Sequence, residues 1–303
     1  MRAKIEGALA DPSLTALAAR PGGAEAGAAL ATLHAGPRLG VRLDAALSAL
    51  ATLKVRLSAE GALPDDIALE RLALLRAAHA SLDRVPSLPV DPGVQRLFYE
   101  EFTIYAESKP RQRPLLALGT ASFRAACQVV ALVRFPAGQY HWDVSGLSRR
   151  MLLHVAPREL PRVLGMLAFR MRGIAPTLFP HVNAFRRNPF VWIEAESNRS
   201  FHRMARALAL QPQLRGLVTR AWFHDPDLGR VSPHLAWVNR VVLENGGLVV
   251  ANGSAAGDPD VSTNNAAREH AVARGDYRPR YGLVLWPRAA MLDWAARHPE
   301  FAD

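Results

Sequence analysis

His141 and Asp143 stand one residue apart in a dense polar stretch, PAGQYHWDVSG, at residues 136–146. Alternate side chains of an extended segment share a face, so this His-x-Asp pair could hold one metal ion. Equally, the carboxylate could orient the imidazole as a general base. The structural alternative is a hairpin turn with a hydrogen-bonded histidine, since the stretch falls between two apolar runs. A second cluster is AWFHDPD at 221–227, followed by Ser232-Pro-His234. It supplies Trp222, His224, Asp225 and His234 just past an expected strand end, where α/β folds commonly bind ligands. His-Asp-Pro-Asp also makes a sound Asx-type turn. In a third cluster, Glu196, Arg199, His202 and Arg203 fall on overlapping helix faces, and a partly buried His202 there would be a fair catalytic group. Finally, His181 and Asn183 share a face of an expected strand. Arg149, Arg150, Arg158, Arg162, Arg170, Arg172, Arg186 and Arg187 lie near them in sequence and could form an anion site for a phosphate- or carboxylate-bearing substrate.

Three functions follow from these groups. The first is a cytosolic small-molecule enzyme working by acid-base chemistry, with His141, Asp143, His202, His224, Asp225 and His234 as catalytic candidates. Arg149, Arg150, His181, Asn183 and Trp222 would bind its substrate. This reading expects His141, His202 and either His224 or His234 to converge on one pocket. The second is an Fe(II)/2-oxoglutarate oxygenase that ligates iron through His141, Asp143 and a further histidine from His181, His202, His224 or His234. Two expected helices, 158–172 and 197–210, interrupt the strands that its β-helix would need. The third is a non-catalytic binding or assembly protein.

Composition narrows the class. The 303 residues are half apolar, enough for a sizeable core. No run approaches the length of a membrane span, and the first residues lack the apolar centre of a signal peptide. A cytoplasmic setting without a membrane partner is therefore expected. Cys127 is the single cysteine, so no internal disulfide or multi-cysteine metal site can form. Within the apolar run CQVVALV it reads as a buried, inert thiol. The net charge of +10 would suit nucleic acid, but only Lys4, Lys54 and Lys109 among 37 basic residues are lysines. Arginine and alanine in excess are what a GC-rich bacterial genome produces, and no basic run exceeds two. A small anionic substrate is the expected partner rather than nucleic acid. Homo-oligomerisation is left open.

The elements that must position these groups divide the chain in two. Residues 1–97 contain no Phe, Trp or Tyr, and all 22 aromatics come from Phe98 onward. Residues 1–88 read as a helical segment. Leu43, Ala46, Leu47, Leu50 and Leu53 mark one helix face. Pro64-Asp-Asp66 opens a second helix, with Ile67, Leu69, Leu72, Leu74 and Leu75 as its apolar side. Breaks at Pro21-Gly-Gly23 and Gly36-Pro37 separate the earlier pieces. The helical face is rich in Ala and Leu and suits helix-on-helix packing, either within the chain or with a partner. Three prolines at 85–92 form a stiff linker, and nearly all the excess positive charge follows it. Residues 91–303 then read as a mixed α/β domain, giving an α+β class overall. Asp91-Pro92 opens a helix to Glu107. Strands are expected at Cys127–Phe135, Arg150–Val155, Thr177–Phe185, Leu214–Phe223, Leu248–Ala251 and Tyr281–Trp286. Helices are expected at Arg158–Arg172, Ser197–Leu210, Thr263–Arg274 and Arg288–Arg297, with a short one capped by Ser232. The Gly/Asn/Ser/Asp-rich stretch 252–260 reads as a loop.

From Cys127 the order strand, strand, helix, strand, helix, strand resembles the central part of GNAT-type N-acyltransferases, over residues 115–225. The resemblance implies an acyltransferase-like transferase with acyl-CoA as donor. In that family a Q/R-x-x-G-x-G/A loop opens the helix after the central strand and holds the pyrophosphate on backbone N–H groups. The stretch matched to it here is VAPRELPRVLG at 155–165. Its inner glycines are missing, and Pro157 and Pro161 have no N–H to donate. No residue role carries over from the family.

Overall fold

The computed structural model describes residues 1–21, 30, 39–185, 192–261 and 265–303. The breaks expected at Pro21-Gly-Gly23 and Gly36-Pro37, the start of the helix from Thr263, and Arg186 and Arg187 fall wholly or partly outside them. The class is α+β: the described residues form α-helices and a six-stranded mixed sheet with strand order β1-β2-β3-β4-β6-β5. Two compact units are formed. One is Met1–His141 with Val182–Pro189, and the other is Trp142–His181 with Phe190–Asp303. The composition shift near residue 90 is thus not where the units divide, because residues 92–141 group with the N-terminal helices.

In the first unit, α1 (Arg2–Leu9), α2 (Pro12–Ala19), α3 (Leu39–Ala59), α5 (Pro92–Glu107) and α6 (Ala121–Val130) all contact α4 (Ala68–Ser81). Helix α4 is buried nearly all round, and its Ala and Leu side chains let neighbouring backbones approach closely. It starts later than Pro64. The Asp65 carboxylate accepts the Ile67 N–H at 2.9 Å just before the first turn. Leu43, Ala46, Leu50 and Leu53 form the buried face of α3, as their spacing requires. Asp91 caps α5 by accepting the Gly93 N–H. The buried face of α5 carries Val94, Phe98, Phe102 and Tyr105, with one carboxylate among them, Glu101.

Two expected strands are helices instead. Cys127 lies in α6, where the Thr120 hydroxyl caps the helix through the Phe123 N–H. Phe123, Ala126, Cys127 and Val130 recur at helical spacing and are all buried. The β-branched valines of the run yielded to that cap and period. Leu132, in the left-handed region with φ 58°, ends the apolar run before the short strand β1 (Arg134–Pro136). Arg150 likewise sits in a short helix, α7 (Arg149–Leu152), capped by the Ser148 hydroxyl. The strand belonging to this region is β2 (Tyr140–Ser145), the stretch that reads as a polar turn.

In the second unit, α8 (Leu160–Gly165) continues as a π-helical turn, Met166–Met171, and Arg172 and Gly173 close it at positive φ. Strand β3 (Thr177–Val182) runs parallel to β4 (Gly216–Ala221). The crossover between them is α9 (Glu194–Leu210). After β4 come α10 (Leu228–Val231), α11 (Trp237–Glu244), β5 (Leu248–Ser254), α12 (Ala266–Ala273), β6 (Arg280–Pro287) and α13 (Arg288–Arg297). Strand β6 pairs antiparallel with both β4 and β5. One sheet face buries Val218, Leu283, Leu285, Leu248 and Val250 against Leu147, Val155, Val163, Leu167 and Met171. The segment 147–171 thus covers that face. Strand β5 takes in the first residues of the expected loop at 252–260. Ser232 is the N-cap residue of a short 3₁₀ helix, Pro233–Leu235, but its hydroxyl makes no capping bond and accepts from Arg268 at 3.3 Å instead.

Candidate functional site

Strand β3 delivers His181, and the neighbouring strand in the sheet order, β2, delivers Asp143. His181 Nε2 donates to Asp143 Oδ2 at 2.8 Å. Both side chains keep partial access to solvent, at 31 % and 24 %. The carboxylate can only accept, so Nε2 is the donor, and in the neutral imidazole this makes Nδ1 the acceptor. The Phe179 ring stands 5.2 Å from the imidazole and helps fix its plane. Sequence reading assigns both residues functional roles but does not pair them. It places His181 with Asn183 and Asp143 with His141.

The position of this pair on the sheet matters. Among the described residues, β3 and β4 register at Leu178↔Leu217, and nearby the Arg215 N–H donates to the Pro176 carbonyl at 2.9 Å. Strands β4 and β6, by contrast, register at six successive positions from Gly216↔Pro287 to Ala221↔Gly282. The parallel pair is therefore joined at its amino-terminal end. Three residues further along each strand stand His181 and Arg220, and alternation puts both on the face that Val218 occupies. Arg220 lies 3.7 Å over the Tyr281 ring. Its Nε and Nη2 donate to the Asn252 side-chain and backbone oxygens at 2.7 and 3.1 Å. The Tyr281 hydroxyl donates to Asp258 at 3.1 Å. Partial burial lowers the Arg220 pKa, but a guanidinium stays charged throughout the working range. The result is an imidazole-carboxylate pair and a fixed cation on one face, near the carboxyl ends of two parallel strands.

Sequence reading misses Arg220 and Tyr281. A signal was present: Arg220 is the one charged residue in the otherwise apolar and small run GLVTRA.

The remaining candidates have separate surroundings. His141 is enclosed in the first unit, where its Nε2 donates to Glu101 Oε1 at 3.1 Å. The same carboxylate accepts from Asn183 Nδ2 at 2.8 Å and from the Tyr105 hydroxyl at 3.2 Å. Burial pushes Glu101 upward, but His141, Asn183 and Tyr105 outweigh it and hold the carboxyl below its usual range. Burial, reinforced by Glu101, raises the Tyr105 phenol well above its ordinary value. This network ties α5 to β2 and to the end of β3. Glu101 was legible only as a carboxylate on an apolar helix face.

His202 is buried on α9 with its ring 6.4 Å from that of Trp294. His224 is buried too; its Nδ1 donates to Asn239 Oδ1 at 2.8 Å, and the Asn239 amide returns a bond to the His224 carbonyl. His234 is exposed in a 3₁₀ turn. Asp225, fully buried, accepts from the Tyr277 hydroxyl and from the Arg280 backbone and guanidinium. Trp222 stacks over Arg268 at 4.5 Å. Arg149 and Arg150 are exposed on α7. Within the second unit, His202 thus packs near Trp294, His224 bonds Asn239, and His234 lies in an exposed turn. No group of three His, Cys, Asp or Glu side chains is gathered as a metal site among the described residues. Cys127 is buried, and burial raises its thiol pKa, as an inert cysteine requires. No described helix is long and apolar enough to cross a membrane.

No protein family matches the chain, and no curated protein does. Among solved structures the chain is similar to an acyltransferase in complex with decanoyl-CoA, at 15% identity and TM-score 0.49 over 94% of this chain and 86% of that one. It is also similar to an acyltransferase in complex with CoA and 10C-teicoplanin, at 13% identity and TM-score 0.46 over 86% and 83%. A third, an acyltransferase with decanoyl-CoA and teicoplanin, is 13% identical with TM-score 0.47 over 94% and 86%. At such identities and TM-scores the likeness bears on neither activity nor ligand.

Proposed function

We propose that the protein is an acyltransferase-like transferase acting on a small-molecule acceptor, with His181 as its general base and Asp143 as the group that orients it. The observation that carries this reading is the 2.8 Å, partly solvent-accessible Asp143–His181 pair on a parallel strand whose registered pairing with β4 lies at its other end. Open α/β sheets commonly bind ligands outside the carboxyl ends of their parallel strands.

In the proposed step the acceptor nucleophile attacks the acyl carbonyl carbon of an activated donor. His181 Nδ1 takes the nucleophile's proton while Asp143 stabilises the imidazolium. Negative charge gathers on the carbonyl oxygen, and Arg220 supplies a fixed positive charge on the same face. The bond from the carbonyl carbon to the donor's leaving atom then breaks, and the proton held by His181 is available to that atom.

The pyrophosphate-loop position assigned from sequence changes under this reading. The helix that follows the first strand of the parallel pair is α9, not α8. Residues 183–193, NAFRRNPFVWI, precede it in sequence, and 186–191 lie outside the described residues. The glycines of the family's loop are therefore missing at this position as well, and the acyl-CoA donor rests on no loop motif of this chain.

The test is thiol release from acyl-CoAs of graded chain length, offered with a panel of amine and hydroxyl acceptors. His181→Ala and Asp143→Asn are expected to lower the rate by about 10²–10⁴-fold with unchanged circular dichroism. Wild-type rates in both variants, or no turnover of any acyl-CoA by the wild type, would overturn the proposal.

A further inference from the structure

Strand β6 opens with two neighbours that face opposite ways. Tyr281 lies under Arg220, whereas Arg280 reaches Asp227 Oδ2 at 2.6 Å and Asp225 Oδ1 at 3.3 Å. On the Arg280 side is a cavity of about 440 Å³, bordered by Asp227, Arg230, Asp276, Tyr277, Arg278 and Arg280. Its floor is fixed. The Tyr277 hydroxyl donates to Asp225 Oδ2 at 2.9 Å, and the buried Asp225 also accepts the Arg280 backbone N–H at 2.9 Å.

Three arginines face two carboxylates here, and both carboxylates are engaged already. Asp227 is held by Arg280, and Asp276 accepts from Arg274 Nε at 2.7 Å. The guanidinium groups of Arg230 and Arg278 have no hydrogen-bond or ion-pair partner among the described residues. Two guanidinium groups without a side-chain partner thus stand over a rigid, partly aromatic floor. Guanidinium forks match the paired oxygens of phosphate and carboxylate groups, and the volume suits a small metabolite.

We infer that this cavity is a binding site for a small dianion, a phosphate monoester or a dicarboxylate, clamped between Arg230 and Arg278. The site faces away from the Arg220 side of β6, so it stands independently of the transferase reading.

Isothermal titration with inorganic phosphate and with malonate tests it. The wild type is expected to bind at least one of them with a stoichiometry of one. The Arg230→Gln/Arg278→Gln double variant should weaken that binding at least tenfold, while Arg297→Gln leaves it unchanged. Preference for phosphate would assign a phosphoryl ligand, and preference for malonate a dicarboxylate. Arg278→Lys, which keeps the charge but loses the fork, should weaken binding several-fold and serves if the double variant does not fold. Failure of the wild type to bind either anion, or wild-type affinity in the arginine variants, would overturn the assignment.

Discussion

His224 gives a quantitative test of how this protein handles a buried ionisable group. Burial is the main cause that lowers its pKa from 6.5 to about 4, and the Asn239 hydrogen bond offsets it only in part. In the unfolded chain the ring titrates near its ordinary value. Between the two values the unfolded state binds the extra proton and the folded state does not. Folding stability is therefore complete above pH 6.5 and is lost as the pH falls toward 4. A separation of some two and a half units corresponds to roughly 3 kcal/mol in total, of which about 2 kcal/mol is gone by pH 5. The assay is urea unfolding followed by tryptophan fluorescence. All six tryptophans lie at residue 142 or beyond, so the signal reports the second unit. His224→Asn keeps a donor toward Asn239 Oδ1 but has nothing to protonate. It should be less stable at pH 8 because ring packing is lost, yet fall by about 2 kcal/mol less than the wild type between pH 8 and pH 5. Equal losses in the two proteins would refute the reasoning.

Two further outcomes follow from local geometry. Glu101→Ala removes the acceptor shared by His141, Asn183 and Tyr105 and should cost about 3–5 kcal/mol, read by circular dichroism during denaturant unfolding. Gly282→Ala would set a Cβ 1.9 Å from the His224 carbonyl oxygen, a backbone atom that cannot swing aside. A loss of about 3 kcal/mol is expected, against less than about 0.5 kcal/mol for Gly257→Ala, where nothing lies within 4 Å. Differential scanning calorimetry of the two variants checks the contrast.

Much of the second unit was legible in its sequence. The strands at Thr177, Gly216, Leu248 and Arg280, and the helices at Glu194 and Arg288, fall where alternation and 3.6-residue spacing place them. The errors cluster where apolar runs are short. CQVVALV suits a strand by its valines and a helix by its period, and the Thr120 cap decided for the helix. The stretch YHWDVS reads as a turn because it is polar, yet it is a strand whose histidine and aspartate are met by partners from other elements. Such partners are the illegible part of the site. Glu101 for His141, and His181 for Asp143, come from 40 and 38 residues away in the chain. Spacing rules reach only along one helix or strand, so they name the functional groups without saying which groups meet.

The Glu101 network also bears on how the first unit assembles. Its bonds close loops of 40 residues to His141 and 82 residues to Asn183. The chain must give up that closure entropy before the polar atoms are rewarded. Contacts of α4 with α5 span less chain and can form earlier. The network is thus expected to close late on the folding route, as a latch on helices already gathered. A latch of that kind leaves the folding rate nearly untouched when it is removed and shows its value as a faster unfolding rate, so its contribution is to the lifetime of the folded unit.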